Sequence, residues 1–515
     1  MNRLLEPLLL KPAADIPFKI ALVGTEGEKQ SYESLHRTTI DLATFLRLKC
    51  RLPSPSLIAL AVSDLPLFTS LVLAAWANGD AVLPLDPRIR PFELDKMIRK
   101  ISPNLLALDD SVISRLRLTL SESSGFEKLE GYLSKRIAEL KPLSSSPNVS
   151  FFADLGDSAT TALPSNAALV MYTSGSTSEP KGVVHSSEGV ISNVNSILNY
   201  FPLREASTVG ITLPLHYSYS LVGQILTSLA AKSCAVQIDS TFPSEYLKNL
   251  VQFKITVVSS VAFGLKKLLY AKDLLPNGLN LELISSAGMK FDRHIYDELK
   301  RVFPSTVFFD QYGFAEAGPR VSAISDQDSH FSGGSVGKPI KGVKLGLLNS
   351  DGVIQDSGSE GLLMVNTASA MICYLNEPEA TKNSFRGDWL ISGDYARITK
   401  DGYLYIAGRQ RDFANVHGER ISLLEIEDQI KNYPGVLDAA VISVDDQTFG
   451  SRIMAVIEAK SFDVNSLKNH LLRQLSPPKQ PQEFLIVTEM PRSSSGKLLK
   501  SELVAKYGRS RQETD

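Results

Sequence analysis

Residues 172–183 read YTSGSTSEPKGV, and they follow the apolar run AALVMYT (167–173). The segment holds two glycines, three serines and two threonines and closes with Pro-Lys-Gly-Val. A Gly/Ser loop after a buried strand can converge its backbone N–H groups on an anion, because glycine permits the required dihedrals and leaves no side chain in the way. The first candidate for such a loop is the nucleotide-triphosphatase pattern GxxxxGK[ST], and it fails here. Counted from Gly175, the glycine before Lys181 is replaced by Pro180, and the Ser/Thr after it by Gly182. Taken alone, the stretch is either a phosphate-holding loop of another kind that follows an apolar strand, or a mobile Ser/Gly surface loop.

The surrounding chain is that of a large α/β protein. Short apolar runs at 56–63 (SLIALAVS), 209–215 (VGITLPL) and 255–260 (ITVVSS) read as buried strands. They alternate with helical periodicity, as in Val190, Ile191, Val194, Ile197 and Leu198. The Ser/Pro-rich stretch 141–166 reads as a surface connection. From about residue 336 the pattern turns to short β-like pieces with Gly turns, and beyond GRQRD (408–412) to a compact α+β module. The expected architecture is α/β: a large N-terminal domain, 1–410, of two sheet subdomains plus a small β-barrel-like unit, and a small mobile C-terminal domain, 411–515.

Composition narrows the partners. The 515 residues are 43% hydrophobic and 21% charged, with a formal net charge of -2. No run approaches the ~18 apolar residues of a membrane span, and no basic cluster offers a nucleic-acid footprint. Cys50, Cys234 and Cys373 are far apart and read as packing residues. The leucine cluster near the N-terminus is broken by Glu6, Pro7 and Lys11, which speaks against a secretory leader. The expectation is a cytoplasmic enzyme acting on small molecules, with neither nucleic acid nor membrane as partner.

Further segments stand in a telling order: DQYGFAEAG (310–318), SGDYARITKDGYLYIAGRQRD (392–412), HGERISLLEIE (417–427) and PRSSSGKLLK (491–500), with AAWANGDAVLPLDP (74–87) upstream. With the loop at 172–183, this set resembles the adenylate-forming superfamily of acyl-CoA synthetases, luciferases, adenylation domains and free-standing acid-amine ligases. The likeness spans about residues 20–505. It implies ATP and Mg2+ as cofactors and a carboxylate attacking the α-phosphorus to give an acyl-adenylate and pyrophosphate. It also implies that Thr173, Ser174, Gly175, Ser176, Thr177 and Lys181 hold the phosphates, that Ala287, Gly288, Gln311, Tyr312 and Gly313 shape the adenine site, and that Glu316 binds magnesium. Asp394 would hold the ribose, Arg409 would sit near ribose or phosphate, Lys497 would bridge the two reacting anions, and Arg411 would be the hinge on which the C-terminal domain turns.

Departures from the family pattern bear on the second substrate. Ala315 replaces a usual Thr or Ser and Ser178 a frequent glycine. Asn415 stands where many acyl-CoA synthetases carry lysine. The acid pocket is expected among His216, Tyr217, Tyr219, Phe263, Gly288 and Phe314, with no aspartate to meet an α-ammonium group. An aryl, cyclic or medium-chain acid fits those side chains better than a highly polar one. The acceptor is CoA, a phosphopantetheine carrier protein or an amine. The competing reading is a nucleotide-binding protein that kept this fold and lost turnover; the joint presence of Lys497, Glu316 and Asp394 weighs against it.

Overall fold

The computed structural model describes the chain except residues 1, 51, 53, 90, 122–135, 141–148, 154–162, 174–180, 271–278, 289–290, 292, 332–333, 350, 410–412, 417–418, 447–449, 460–462, 476–478, 493–497 and 508–515. Two large sheets organise the first part of the chain. The first runs, by strand, in the order 338–339, 322–325, 307–312, 283–287, 257–260, 208–211, 234–237, 20–23 and 29–31. Its central strands are parallel, and the strands at both ends are antiparallel. The second runs 373–374, 181–186, 167–173, 81–84, 57–61, 105–109, 149–152 and 136–140.

The helix Leu65–Asn78 shows why the sheets stack. Residues 65–76 are all buried, so it is apolar around its circumference and needs cover on every side. Asp64 caps its start, accepting from the Leu67 N–H at 2.9 Å, and Gly79 ends it in the left-handed region. Trp76 Nε1 donates to the Ala168 carbonyl at 2.7 Å, tying this helix to the strand that leads into the Gly/Ser loop. The helix Ser187–Tyr200 buries Val190, Val194 and Ile197, the face its periodicity predicts.

A six-stranded antiparallel sheet follows, built from 343–348, 354–355, 358–367, 385–386, 389–398 and 404–409. After it, strands 413–416 and 419–422 form a hairpin, and 438–446, 450–458 and 483–487 a second small sheet. Helices Leu423–Lys431 and Val464–Gln474 pack there around a core of Ile426, Ile430, Val441, Ile453, Leu467 and Leu471. The α/β class and this layout of sheets match the expectation. The stretch 141–166 differs: Val149–Phe152 is a fully buried strand pairing antiparallel with 105–109, where the sequence reads as a surface connection. Four apolar-leaning residues between Ser/Pro tracts are too short a run to signal a strand, and only the waiting sheet edge makes them one.

Candidate functional site

The segment 307–320 is the centre of the site. Strand Val307–Tyr312 lies between 283–287, with Ala287 opposite Gln311, and 322–325, with Tyr312 opposite Ser322. The chain then turns sharply at Gly313, where a Cβ would stand 1.8 Å from the Pro319 carbonyl oxygen. Only glycine allows that approach. A single 3-10 turn, Ala315–Ala317, carries Glu316 outward. The turn is pinned from the strand-loop beyond 367: Met371 N–H donates to the Glu316 carbonyl at 2.7 Å and Ser369 Oγ to the Ala317 carbonyl at 2.8 Å.

The Glu316 carboxylate accepts a hydrogen bond from the Tyr374 hydroxyl at 2.7 Å. Burial and the charge of Glu316 raise the Tyr374 phenol, so it stays protonated and can keep donating. The Tyr374 ring also lies under Lys181, whose Nζ is 4.8 Å from the ring centroid. Lys181 starts the strand 181–186, directly opposite Thr173 on the neighbouring strand, so the two ends of the Gly/Ser loop are clamped together. Glu377 reaches Lys181 at 3.8 Å and Lys100 at 2.6 Å. Lys181 and Glu316 therefore face a common space, with Tyr374 between them.

The ribose candidate Asp394 is 4% exposed, on the strand Trp389–Ile398 opposite Arg409. Its Oδ2 accepts from the Tyr312 hydroxyl at 2.5 Å, and its own N–H donates to Ser392 Oγ at 3.0 Å. The structure thus joins Tyr312, from the first sheet, to Asp394, from the third. Of the remaining expected residues, Ser174, Gly175, Ser176, Thr177, Arg411 and Lys497 lie outside the described residues, as do the side chains of Thr173, Phe263 and Arg409.

On the acid side, the Tyr219 hydroxyl donates to the Ser260 carbonyl at 3.4 Å, and the Phe314 and Tyr312 rings sit 6.1 Å apart. Gly288 takes φ +79° just past the end of strand 283–287. His216 packs edge-on against Tyr217 at 4.6 Å, with its Nε2 3.9 Å from Asp86. Burial pulls the His216 imidazole down to about 4, so it is neutral near pH 7. His185, buried beneath the 3-10 turn, is lowered to about 4 for the same reason. A groove of ≈ 800 Å³ opens beside this region, bordered by Asp86, Arg88, Leu215, Ser240, Lys248 and Lys267.

Sequence reading missed three residues here. Tyr374 and Glu377 lie in CYLNEPEAT, a stretch with no chemistry of its own until folding lays it against strand 181–186. Arg320 lies two residues beyond DQYGFAEAG and is buried, with Nε donating to Gln311 Oε1 at 2.9 Å and its guanidinium carbon 3.9 Å from the Tyr219 ring centroid. Proximity in sequence to that segment was the available signal. A buried cation against Tyr219 is not part of the aromatic, small-residue pocket read from sequence.

A family model described as AMP-binding enzyme matches residues 11–375, and one described as AMP-binding enzyme C-terminal domain matches 425–497. The chain is 31% identical to the sulfoacetate--CoA ligase of Cupriavidus necator over 347 residues, covering 66% of this chain and 67% of that protein. It is 24% identical to the long-chain-fatty-acid--CoA ligase of Escherichia coli O157:H7 over 93% of this chain and 90% of that one. The fold superposes on ATP-bound MatB from Rhodopseudomonas palustris with a TM-score of 0.81 at 22% identity, covering 98% of both chains. The sheets thus stand on a shared scaffold, and the chain belongs to the AMP-binding enzymes, the adenylate-forming superfamily that its motifs resemble.

Proposed function

We propose that this protein is an AMP-forming acid-thiol ligase, joining a carboxylic acid to CoA through an acyl-adenylate. The observation that carries the reading is that one short segment, 312–316, is joined at Tyr312 to Asp394 and at Glu316 to Tyr374 and through its ring to Lys181, groups from remote parts of the chain. Asp394 is the group that would hold the ribose hydroxyls, with Tyr312 fixing its rotamer. Lys181, and the backbone of the loop it closes, hold the β and γ phosphates.

Magnesium fits this site by its donor chemistry. Glu316 gives a single carboxylate beside the phosphate-holding lysine, and magnesium is commonly held by one or two carboxylates together with substrate phosphates. When bound, the ion would neutralise phosphate charge. The protein's own contribution is to orient: Tyr374 fixes Glu316, and Lys497 bridges the acid carboxylate and the α-phosphate.

In the first half-reaction an acid oxygen bonds to the α-phosphorus as the bond to pyrophosphate breaks. In the second the thiol sulfur bonds to the acyl carbon, AMP departs, and the thiol proton is released. The groove beside Leu215 gives the acceptor's long arm a route, with Arg88, Lys248 and Lys267 among its lining residues. The test is acid-dependent exchange of labelled pyrophosphate into ATP without acceptor. Exchange that requires an acid and collapses in Asp394→Ala supports the reading; exchange that ignores the acid, or survives that change, counts against it. Adding CoA, a phosphopantetheine carrier protein or amines then identifies the acceptor by which one accelerates AMP release.

A further inference from the structure

Arg320 is 3% exposed. A guanidinium is a charged group, and a buried charge is normally compensated by a paired opposite charge. Among the described residues Arg320 has no ion-pair partner. What surrounds it is neutral: Gln311 Oε1 at 2.9 Å, the Tyr219 ring at 3.9 Å, and the backbone of Gly223, where an added Cβ would stand 3.1 Å from Nη2. Asp310, in the strand that precedes it, is pushed up to about 7 by burial, so it is a poor counter-ion.

The surroundings of Tyr219 are polar although buried. Gln224 Nε2 donates to the Ser259 carbonyl at 2.8 Å and Ser285 Oγ to Ser259 Oγ at 2.7 Å. Gln224 Oε1 is buried with no hydrogen-bond partner among the described residues. A buried polar atom of this kind normally has a partner, supplied by protein, water or ligand.

We infer that Arg320 is the receptor for a second acidic group on the carboxylic acid, and that the substrate class is a short dicarboxylic or sulfo-carboxylic acid. The inference rests on the proposed adenylation reading, in which Gln311 belongs to the nucleotide shelf and Tyr219 to the acid pocket. Because one arginine touches both, the second acidic group sits only a few atoms from the carboxylate that is activated. A plain acid of equal length leaves the guanidinium buried and unpaired, which is how the site rejects it.

The test compares malonate, succinate, glutarate and sulfoacetate with propionate, butyrate and valerate. Binding to the full chain is measured by calorimetry with magnesium and a non-cleavable α,β-methylene ATP analogue, and AMP release is measured with ATP. The wild type is expected to favour one dianionic acid over its monoanionic match by on the order of 10²-fold in both readouts. Arg320→Met should erase or reverse that ratio, and Arg320→Lys should keep its direction at reduced size; Arg320→Lys also serves if the Met variant fails to fold. The carboxylate and sulfonate arms separate which acid group is preferred. A wild-type preference for monoanionic acids, or an unchanged ratio in Arg320→Met, overturns the inference and leaves adenylation standing. Dianion binding that depends on Arg320 without AMP release supports the receptor and overturns the adenylation reading instead.

Discussion

Gly313→Ala tests whether the turn between the strand 307–312 and Glu316 sets the chemistry. The new Cβ would lie 1.8 Å from the Pro319 oxygen, 2.7 Å from its carbonyl carbon and 3.0 Å from the Arg320 Cα. All three are backbone atoms, so no side chain can swing aside. Moving from 1.8 Å to the 3.4 Å at which ordinary contact begins opens the turn by about 1.6 Å (3.4 minus 1.8). The segment that must move holds Tyr312 on one side and Arg320 on the other, while the Val321 N–H is bonded to the Tyr312 carbonyl at 2.9 Å. A misplacement of ~1 Å at a reacting centre can cost about 10²-fold in rate, and overpacking of this kind destabilises by about 1–3 kcal/mol. Acid-dependent pyrophosphate exchange should therefore fall about 10²-fold, with a lowered melting temperature by circular dichroism. Gly402→Ala is the control: its φ is +89° with nothing within 4 Å of the added atom, so only backbone strain of about 1–2 kcal/mol is expected, with exchange unchanged. Wild-type exchange in Gly313→Ala would refute the reasoning, as would an equal loss in Gly402→Ala.

Lys497→Ala should lower acyl-adenylate formation by on the order of 10²–10³-fold while a supplied acyl-adenylate is still transferred to the acceptor; equal loss of both steps contradicts its bridging role. Arg411→Pro fixes φ at the proposed hinge and should slow one half-reaction selectively, measured by comparing pyrophosphate exchange with transfer from supplied adenylate; unchanged rates in both defeat the hinge. His216 has a folded pKa of about 4 against 6.5 in the unfolded chain, so between those values the unfolded state binds more protons and the stability this residue allows is lost as pH falls. The loss amounts to about 3 kcal/mol over that window. Asp310, raised to about 7, acts in the opposite sense, giving stability at low pH that is lost as pH rises through that value, so the comparison must be between variants. The gap in melting temperature between wild type and His216→Gln should shrink as pH is lowered from 7.5 to 4.5; a constant gap shows that the imidazole does not titrate in this way.

Sequence reading reached the individual groups of the site more readily than their partnerships. Lys181, Tyr312, Glu316 and Asp394 each sit inside a recognisable segment. Their contacts do not: Tyr312 meets Asp394 across 82 positions, and Tyr374 meets Glu316 across 58. Those distances close only because strand 373–374 is added to the edge of the second sheet and the third sheet folds back against the first. Tyr374 is unremarkable by composition, since its function as a donor to Glu316 is created by packing. Arg320 was hidden for the opposite reason. An arginine in sequence reads as a solvated charge, and nothing local says that Tyr219 and Gln311 will enclose it. The helix Ser187–Tyr200 was legible because Val190, Val194 and Ile197 recur at helical spacing, whereas Val149–Phe152 depended on an edge that the sequence does not display.

The most direct measurement is product analysis with ATP, magnesium, an acid from the dianionic panel and CoA. The account predicts AMP and pyrophosphate in equal amounts with one acyl-thioester per AMP, all dependent on the acid. ADP and phosphate as products would contradict it, because they place the cleavage at the γ-phosphorus, where neither Lys497 nor an acyl-adenylate has any part.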